Sequence, residues 1–370
     1  MSITARRLMR SAGSPSSSDR TSLVQGAYIP SASTTGPLPG TTFTDMEANV
    51  AGYISLTTTD ATYNGVRFWG EVRCQAPGIK FTNCTFHSGW PLTNNYGNCF
   101  KSYGAGYYHW VAENCTFDPS AWTTERGYPA ITSSNYFITR GVHGGNMTLR
   151  WCEIVNCEDG VNSVQSNVAP DVGGDPGSPR PDGLPVTDID RCWIHKCNYV
   201  NGPPYSDTGQ SGGSPHCDAF QFNTGSHIYI RGSMLGGPRD TTGYQVWPNG
   251  YNAGDDYSNA AIMLQQESDS TALRWIEDVL IENNFLSGGT AIVNINYKNT
   301  NTLSGVTIQN NKLFQRKAGD GVYMTDGVLS NTNGGYGLYL ATGSSPSSLE
   351  CTWTNNTVYE TGATLPFTYG

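Results

Sequence analysis

One short pattern recurs eight times along the chain and limits what it can fold into. It reads apolar, any, apolar, any, Asn-like, small polar, any, apolar. The clearest copies are Ile79-Lys80-Phe81-Thr82-Asn83-Cys84-Thr85-Phe86 and Val306-Thr307-Ile308-Gln309-Asn310-Asn311-Lys312-Leu313. The last apolar positions are Phe86, Phe117, Ile154, Ile194, Leu235, Leu286, Leu313 and Val358. Five residues before them stand Phe81, Ala112, Leu149, Ile189, Ile230, Ile281, Ile308 and Trp353. Seven before stand Ile79, Trp110, Met147, Thr187, Ile228, Val279, Val306 and Cys351, with Ala112 and Thr187 the weak members of the set. Alternation with period two puts these side chains on one face of a strand. The chain then bends at the polar pair and the next apolar residue turns inward. One copy cannot bury its face alone, whereas stacked copies close a continuous core, which is the logic of a solenoid.

Two positions before each last apolar residue stand Cys84, Cys115, Cys152, Cys192, Ser233, Asn284, Asn311 and Asn356. Stacking predicts a vertical column of these side chains, rung over rung at about 4.8 Å. Zinc is the competing use of the thiols, but spacings of 31, 37 and 40 residues contain no CxxC pair. Cys152/Cys157 and Cys192/Cys197 read as two inward positions in each of two coils. The copies are 27 to 51 residues apart. That irregularity fits a solenoid with loops inserted at its corners better than a β-propeller, whose blades keep a regular period.

Composition removes other classes. Charged residues are only 14% of 370, and 44 glycines are too many for a helical bundle. With 21 Tyr, 12 Phe and 9 Trp, disorder would leave a large apolar area in water. No apolar run approaches the roughly 18 residues of a membrane span. The net charge of −9, with no basic cluster beyond Arg6, Arg7 and Arg10, excludes a nucleic-acid groove. A neutral or weakly charged polysaccharide is compatible. Residues 1–19 lack the apolar core of a secretory signal, so the ten cysteines are expected to stay reduced at synthesis.

The repeated units resemble the pectate-lyase-like right-handed parallel β-helix. The stretch His216-Cys217-Asp218-Ala219-Phe220-Gln221, followed by Gly225-Ser226-His227-Ile228-Tyr229-Ile230, is similar to a His-x-Asp-x-x-Gln coil. That coil occurs in β-helix proteins of actinobacteria and in minor tail or tailspike proteins of their phages. The resemblance spans roughly residues 60 to 360 and is specific for fold more than for activity. It implies an all-β, single-stranded right-handed parallel β-helix with long corner loops. It also implies a homotrimer, which the residues themselves do not show.

Three segments follow: residues 1–45 as an N-terminal attachment arm, 46–360 as the β-helix domain, and 361–370 as a C-terminal cap or tail. The arm is patternless and rich in Ser, Thr, Gly and Pro. Long loops at 166–185, 201–215 and 236–258 interrupt the stack. The second and third follow Ile194 and Leu235, which predicts that they leave adjacent coils at one corner and stand beside Asp218.

Aligning the coils sets Asp159-Gly160-Val161-Asn162 alongside Asp218-Ala219-Phe220-Gln221, with Asn98-Cys99-Phe100-Lys101 in the same place further toward the N-terminus. Two stacked carboxylates about 5 Å apart raise one pKa and offer an acid and a base, as glycosidic cleavage requires. Glu158 and His216 are candidate partners in proton transfer. The competing reading ranks first: Asp at a β-helix turn accepts backbone N–H groups that no strand satisfies. His195 and His227 read as surface histidines. In the loops, Trp247, Tyr205, Tyr244, Tyr251 and Tyr257 offer flat faces with polar tips suited to sugar rings, against the alternative that they pack the loops down. Arg140 and Lys101 stand as isolated basic residues. No metal site and no cofactor is expected.

The resulting expectation is a phage virion tail component, spike- or fibre-like. It attaches to other tail proteins through its N-terminal arm and contacts host-surface polysaccharide. The rivals are a polysaccharide hydrolase or lyase on the same fold and a purely structural tail part.

Overall fold

The computed structural model describes residues 29–49, 52–87, 98–102, 109–127, 140–157, 159–164, 187–197, 218–223, 225–236, 260–265, 275–287, 291–296, 302–314, 324–325, 328–329, 336–341, 351–359 and 362–364. The chain visits three parallel sheets in turn, A, B and C, once per coil. Sheet A has 10 strands and sheets B and C have 9 each. Strands adjacent in each sheet come from successive coils. This is the parallel β-helix expected from the repeat, not the separate antiparallel blades of a propeller.

The recurring motif is the corner where a strand of sheet C becomes a strand of sheet A. The first residue of each two-residue corner is left-handed: Asn83 (φ 53°), Asn114 (54°), Trp151 (49°), Arg191 (55°), Gly232 (55°), Asn283 (58°), Asn310 (56°) and Asn355 (53°). Asn tolerates this region because its short side chain bonds locally, and Gly has no Cβ to clash. Trp151 and Arg191 adopt it against their preference, with the Arg191 guanidinium 5.5 Å from the Trp151 ring. An earlier copy of the motif ends at Phe68. The sequence pattern hides it, because Gly65 (φ 63°) alone makes that corner.

The second corner residue points inward and forms the column expected from the sequence, every member of it buried. Cys115, Ser233, Asn284, Asn311 and Asn356 accept the backbone N–H of the coil before them. Cys84 N–H donates to Cys115 Sγ at 3.4 Å, Cys192 N–H to Ser233 Oγ at 3.0 Å, and Ser233 N–H to Asn284 Oδ1 at 2.9 Å. Asn284 and Asn311 N–H continue to Asn311 and Asn356 Oδ1, both at 3.0 Å. The Asn side chains also donate to Ile230, Ile281 and Ile308 carbonyls. Burial holds the Cys115 and Cys192 thiols well above their ordinary pKa, so they stand protonated in the core.

Beside this column the last apolar residues stack in register, Phe68 over Phe86 over Phe117 and on through Ile154, Ile194, Leu235, Leu286, Leu313 and Val358. The rings of Phe86 and Phe117 are parallel at 4.5 Å. The two weak members of the motif also face inward. Ala112 is buried, and Thr187, buried too, hydrogen-bonds Ser163 inside the core at 3.3 Å.

The outer face of sheet C carries a ladder of alternating sign. Glu113, Arg150, Asp190, Arg231 and Glu282 are consecutive in register. Arg150 meets Glu113 at 3.1 Å, and buried Asp188 receives both Arg150 and Arg231.

On sheet A the outer face is covered. Trp193, Met234, Phe285 and Phe314 form a second apolar cluster outside the helix, with Ile29 and Tyr359 against it. From Ile29 the chain runs back along the stack. Gly36 N–H donates to the Trp151 carbonyl at 2.8 Å, and Leu38 N–H to Asn83 Oδ1 at 3.2 Å. The first strand, Thr44–Glu47, then pairs with Val66–Trp69. Residues 29–43 therefore lie against the helix. At the other end, Val358 N–H donates to Ala363 and Thr364 bridges Thr357, which covers the last strand of sheet A.

Candidate functional site

The three corners differ sharply. From sheet C to sheet A the chain never spends more than two residues between strands. Every long connection lies at one of the other two corners, which are the two edges of sheet B. Residues 88–99, 118–139, 196–217, 236–259 and 314–335 join sheet A to sheet B, and 165–186, 266–274 and 342–350 join sheet B to sheet C. The segments expected beside Asp218 do leave adjacent coils at one corner, after His195 and after Leu235. The third expected loop follows sheet B on its opposite edge.

On the strands of sheet B, Val72, Phe100, Val142, Val161 and Phe220 belong to the core. Period two then turns Arg73, Lys101, His143, Asn162 and Gln221 outward. These five are consecutive in register, one per coil. The alignment of Asn162 with Gln221 matches the sequence expectation. The coil Arg140–His143, unread in the sequence, stands between the Lys101 coil and the Asp159 coil. Asn162 Nδ2 donates to Gln221 Oε1 at 2.6 Å, tying two rungs of this column.

Asp159 and Asp218 stand behind it, at the edge where the chain enters sheet B. Asp159 Oδ1 accepts the N–H of Asp218 at 3.3 Å, and Asp218 Oδ1 accepts the N–H of Ala260 at 2.9 Å. Asp159 Oδ2 meets Arg140 Nε and Asn162 Nδ2, each at 3.4 Å. Exposure is 4% for Asp159 and none for Asp218. The acids are stacked, and each ties one coil to the next, as the Asn column does at the opposite corner. Burial raises the pKa of Asp159, against the pull of Arg140. The leading cause is thus desolvation, not the mutual repulsion invoked from the sequence.

Two sequence readings need correction. Arg140 and Lys101 are not isolated: Arg140 pairs with Asp159, and Lys101 is in register with His143. His195 is not a surface residue. It is 4% exposed, stacked 3.6 Å from the Trp193 ring, with Nε2 at 3.0 Å from Glu153. The signal missed was its neighbour, since an outward Trp two residues away marks a covered face. His143 lies among cations; burial, Arg140 and Lys101 pull its pKa down to about 3. Glu158, His216, Trp247, Tyr205, Tyr244, Tyr251 and Tyr257 lie outside the described residues. Among the described residues, no group of three or more His, Cys, Asp or Glu side chains is placed to hold a metal ion.

No protein-family model and no curated protein matches the chain. Among solved structures, the Dettilon tailspike protein is similar over 83% of this chain and 54% of its own, with 11% identity and a TM-score of 0.29. The chain thus spans about half the length of that tailspike, a likeness too distant to carry a function across.

Proposed function

We propose that the protein is a virion tail component, spike- or fibre-like, that contacts host-surface polysaccharide along the outer face of sheet B. The observation that carries this reading is the placement of the insertions. The corner from sheet C to sheet A never exceeds two residues, while every long connection joins a strand of sheet B to a strand of one of the other two sheets. Loops framing a rigid scaffold are where binding residues concentrate. The framed face repeats every ~4.8 Å, and its amide and cationic groups hydrogen-bond hydroxyls, which suits a polymer laid along the stack. Trp247, Tyr205, Tyr244, Tyr251 and Tyr257, in two of the framing insertions, would supply stacking faces for the sugar rings. Residues at the N-terminus would join other tail proteins, and the working unit would be a homotrimer.

Cleavage is the second reading, favoured by the raised pKa of Asp159 beside Arg140. In it, Asp159 and Asp218, with Glu158 and His216, act as proton carriers. One experiment separates the readings: binding to an array of bacterial surface polysaccharides, with reducing ends assayed in parallel. Binding that survives Asp159→Asn but is lost in Trp247→Ala supports the adhesin. Reducing ends released by the wild type, and absent in a folded Asp218→Asn, support the enzyme. Neither binding nor release leaves a purely structural tail part.

A further inference from the structure

The last coil is covered unevenly. On sheet A its strand Thr357–Val358 is overlaid by residues 362–364, and Val358 is 2% exposed. On sheet C the last strand, Cys351–Thr354, stands at the end of the sheet and pairs on one side only among the described residues. Cys351 and Trp353 continue the inward columns of Val306 and Ile308. Val306 and Ile308 are out of reach of water, whereas Cys351 and Trp353 are partly exposed against the same core. An apolar mouth beside a strand edge invites pairing with another chain, and solenoids need caps at such ends.

The returning chain shows which segment is aimed there. Ala363 accepts the N–H of Val358, and Thr364 bridges Thr357 in the antiparallel sense. One more step of that pairing would set Leu365 opposite Asn356, the last member of the Asn column and itself buried. The next residue, Pro366, has no N–H with which to extend the ladder, so the pairing would stop at the corner between sheets C and A. Two residues span at most about 7 Å, enough to carry Phe367 across that corner toward Trp353. Residues 361–370 hold no charged side chain, and Leu365, Phe367 and Tyr369 alternate with Pro366 and Thr368. Such alternation gives a short segment one apolar face, which matches the apolar mouth.

We propose that residues 365–369 close the C-terminal end of the helix, with Leu365 over Asn356 and Phe367 against Trp353 and Cys351. Closed in this way, the last edge of sheet C is kept from pairing with a second copy of the chain. The proposal stands apart from the polysaccharide reading, since it concerns the end of the stack and not its flank.

Cys351 reports on the cover. Burial pushes its thiol up to about 12. The thiolate is the species that alkylates, so each unit by which uncovering lowers that value raises its abundance about tenfold. Iodoacetamide labelling, mapped by mass spectrometry, compares the full chain with a chain ending at Thr364 and with Leu365→Asp/Phe367→Asp. Cys351 should react about tenfold faster or more in both variants. Cys152, buried in the middle of the stack, should stay unlabelled in all three, which shows the coils to be intact. The shortened chain should also associate, by sedimentation velocity, at concentrations where the full chain does not. Should either variant loosen the whole stack, Phe367→Cys tests the contact itself: mild oxidation should link it to Cys351 within one chain, and no link would overturn the proposal. Equal labelling in all three chains would overturn it too, giving an open end if fast and another cover if slow; that cover is a second copy if dilution of the full chain speeds the reaction. Uncovering without association would refute the guarding role.

Discussion

Single side chains at the tight corner decide whether one coil can sit on the next. Asn311 accepts the N–H of Asn284 and donates to the Ile281 carbonyl, all out of reach of water. Asn311→Ala leaves both backbone groups unpaired and is expected to cost about 3 kcal/mol, read as a lower denaturant midpoint. Arg191 shows the opposite case. Its φ of 55° strains a long side chain, and its pair with Asp190 is long at 3.6 Å, with the Arg191 side chain 40% exposed and that of Asp190 17%. Arg191→Asn should stabilise by about 1 kcal/mol, because Asn relieves the strain, the 3.6 Å pair is long, and Arg231 and Arg150 remain to hold Asp190. Titration gives a third test at this scale. Burial lowers the pKa of His87, His143 and His195 below the ordinary 6.5. Unfolding frees them to bind protons, so their contribution to stability is complete above pH 6.5 and is lost as pH falls toward about 3, the value for His143. Asp159 runs the other way, since its raised pKa makes its contribution fade as pH rises through the folded value. His143→Gln should flatten part of the acid decline in a series of unfolding curves, and an unchanged slope would show His143 to be free to protonate in the folded chain.

At the scale of strands and segments, residues 29–43, which the sequence reads as part of an attachment arm, form a strap along the helix. Gly36 sits there at φ 73°, and a Cβ on it would come 2.7 Å from Thr116 Oγ1. Gly36→Val should lift the strap without unmaking the coils. Limited proteolysis is then expected to cut before Thr44 while the remaining fragment keeps its β-sheet circular dichroism. The strap also shows where sequence reasoning reaches its limit. The C-to-A corner was legible because eight of its copies keep the same two-residue length, so Asn283-Asn284 and Asn310-Asn311 repeat the same chemistry, while the one-residue corner at Gly65 escaped it. Sheet B was half legible: Asn162 and Gln221 aligned, but the coil Arg140–His143 follows a connection too long and patternless to carry register across. Trp193, Met234 and Phe285 occupy the variable position of the motif, where period two alone assigns them to water. Among the described residues, they bury one another and are covered by Ile29 of the strap and by Tyr359.

The whole molecule is a column with one closed edge and one elaborated face, and its proposed role follows from that asymmetry. A homotrimer, proposed here and not required by the fold, predicts three times 40.0 kDa by sedimentation equilibrium. The central claim is that polysaccharide lies on sheet B, and hydroxyl-radical footprinting tests it directly. The comparison is the protein alone against the protein with the surface polysaccharide it binds most tightly. His143, on the outer column of sheet B, should be protected several-fold, while His227 on sheet C and Tyr359 beside the cluster on sheet A should oxidise at unchanged rates. Protection of His227 or Tyr359, with His143 unaffected, would contradict the account.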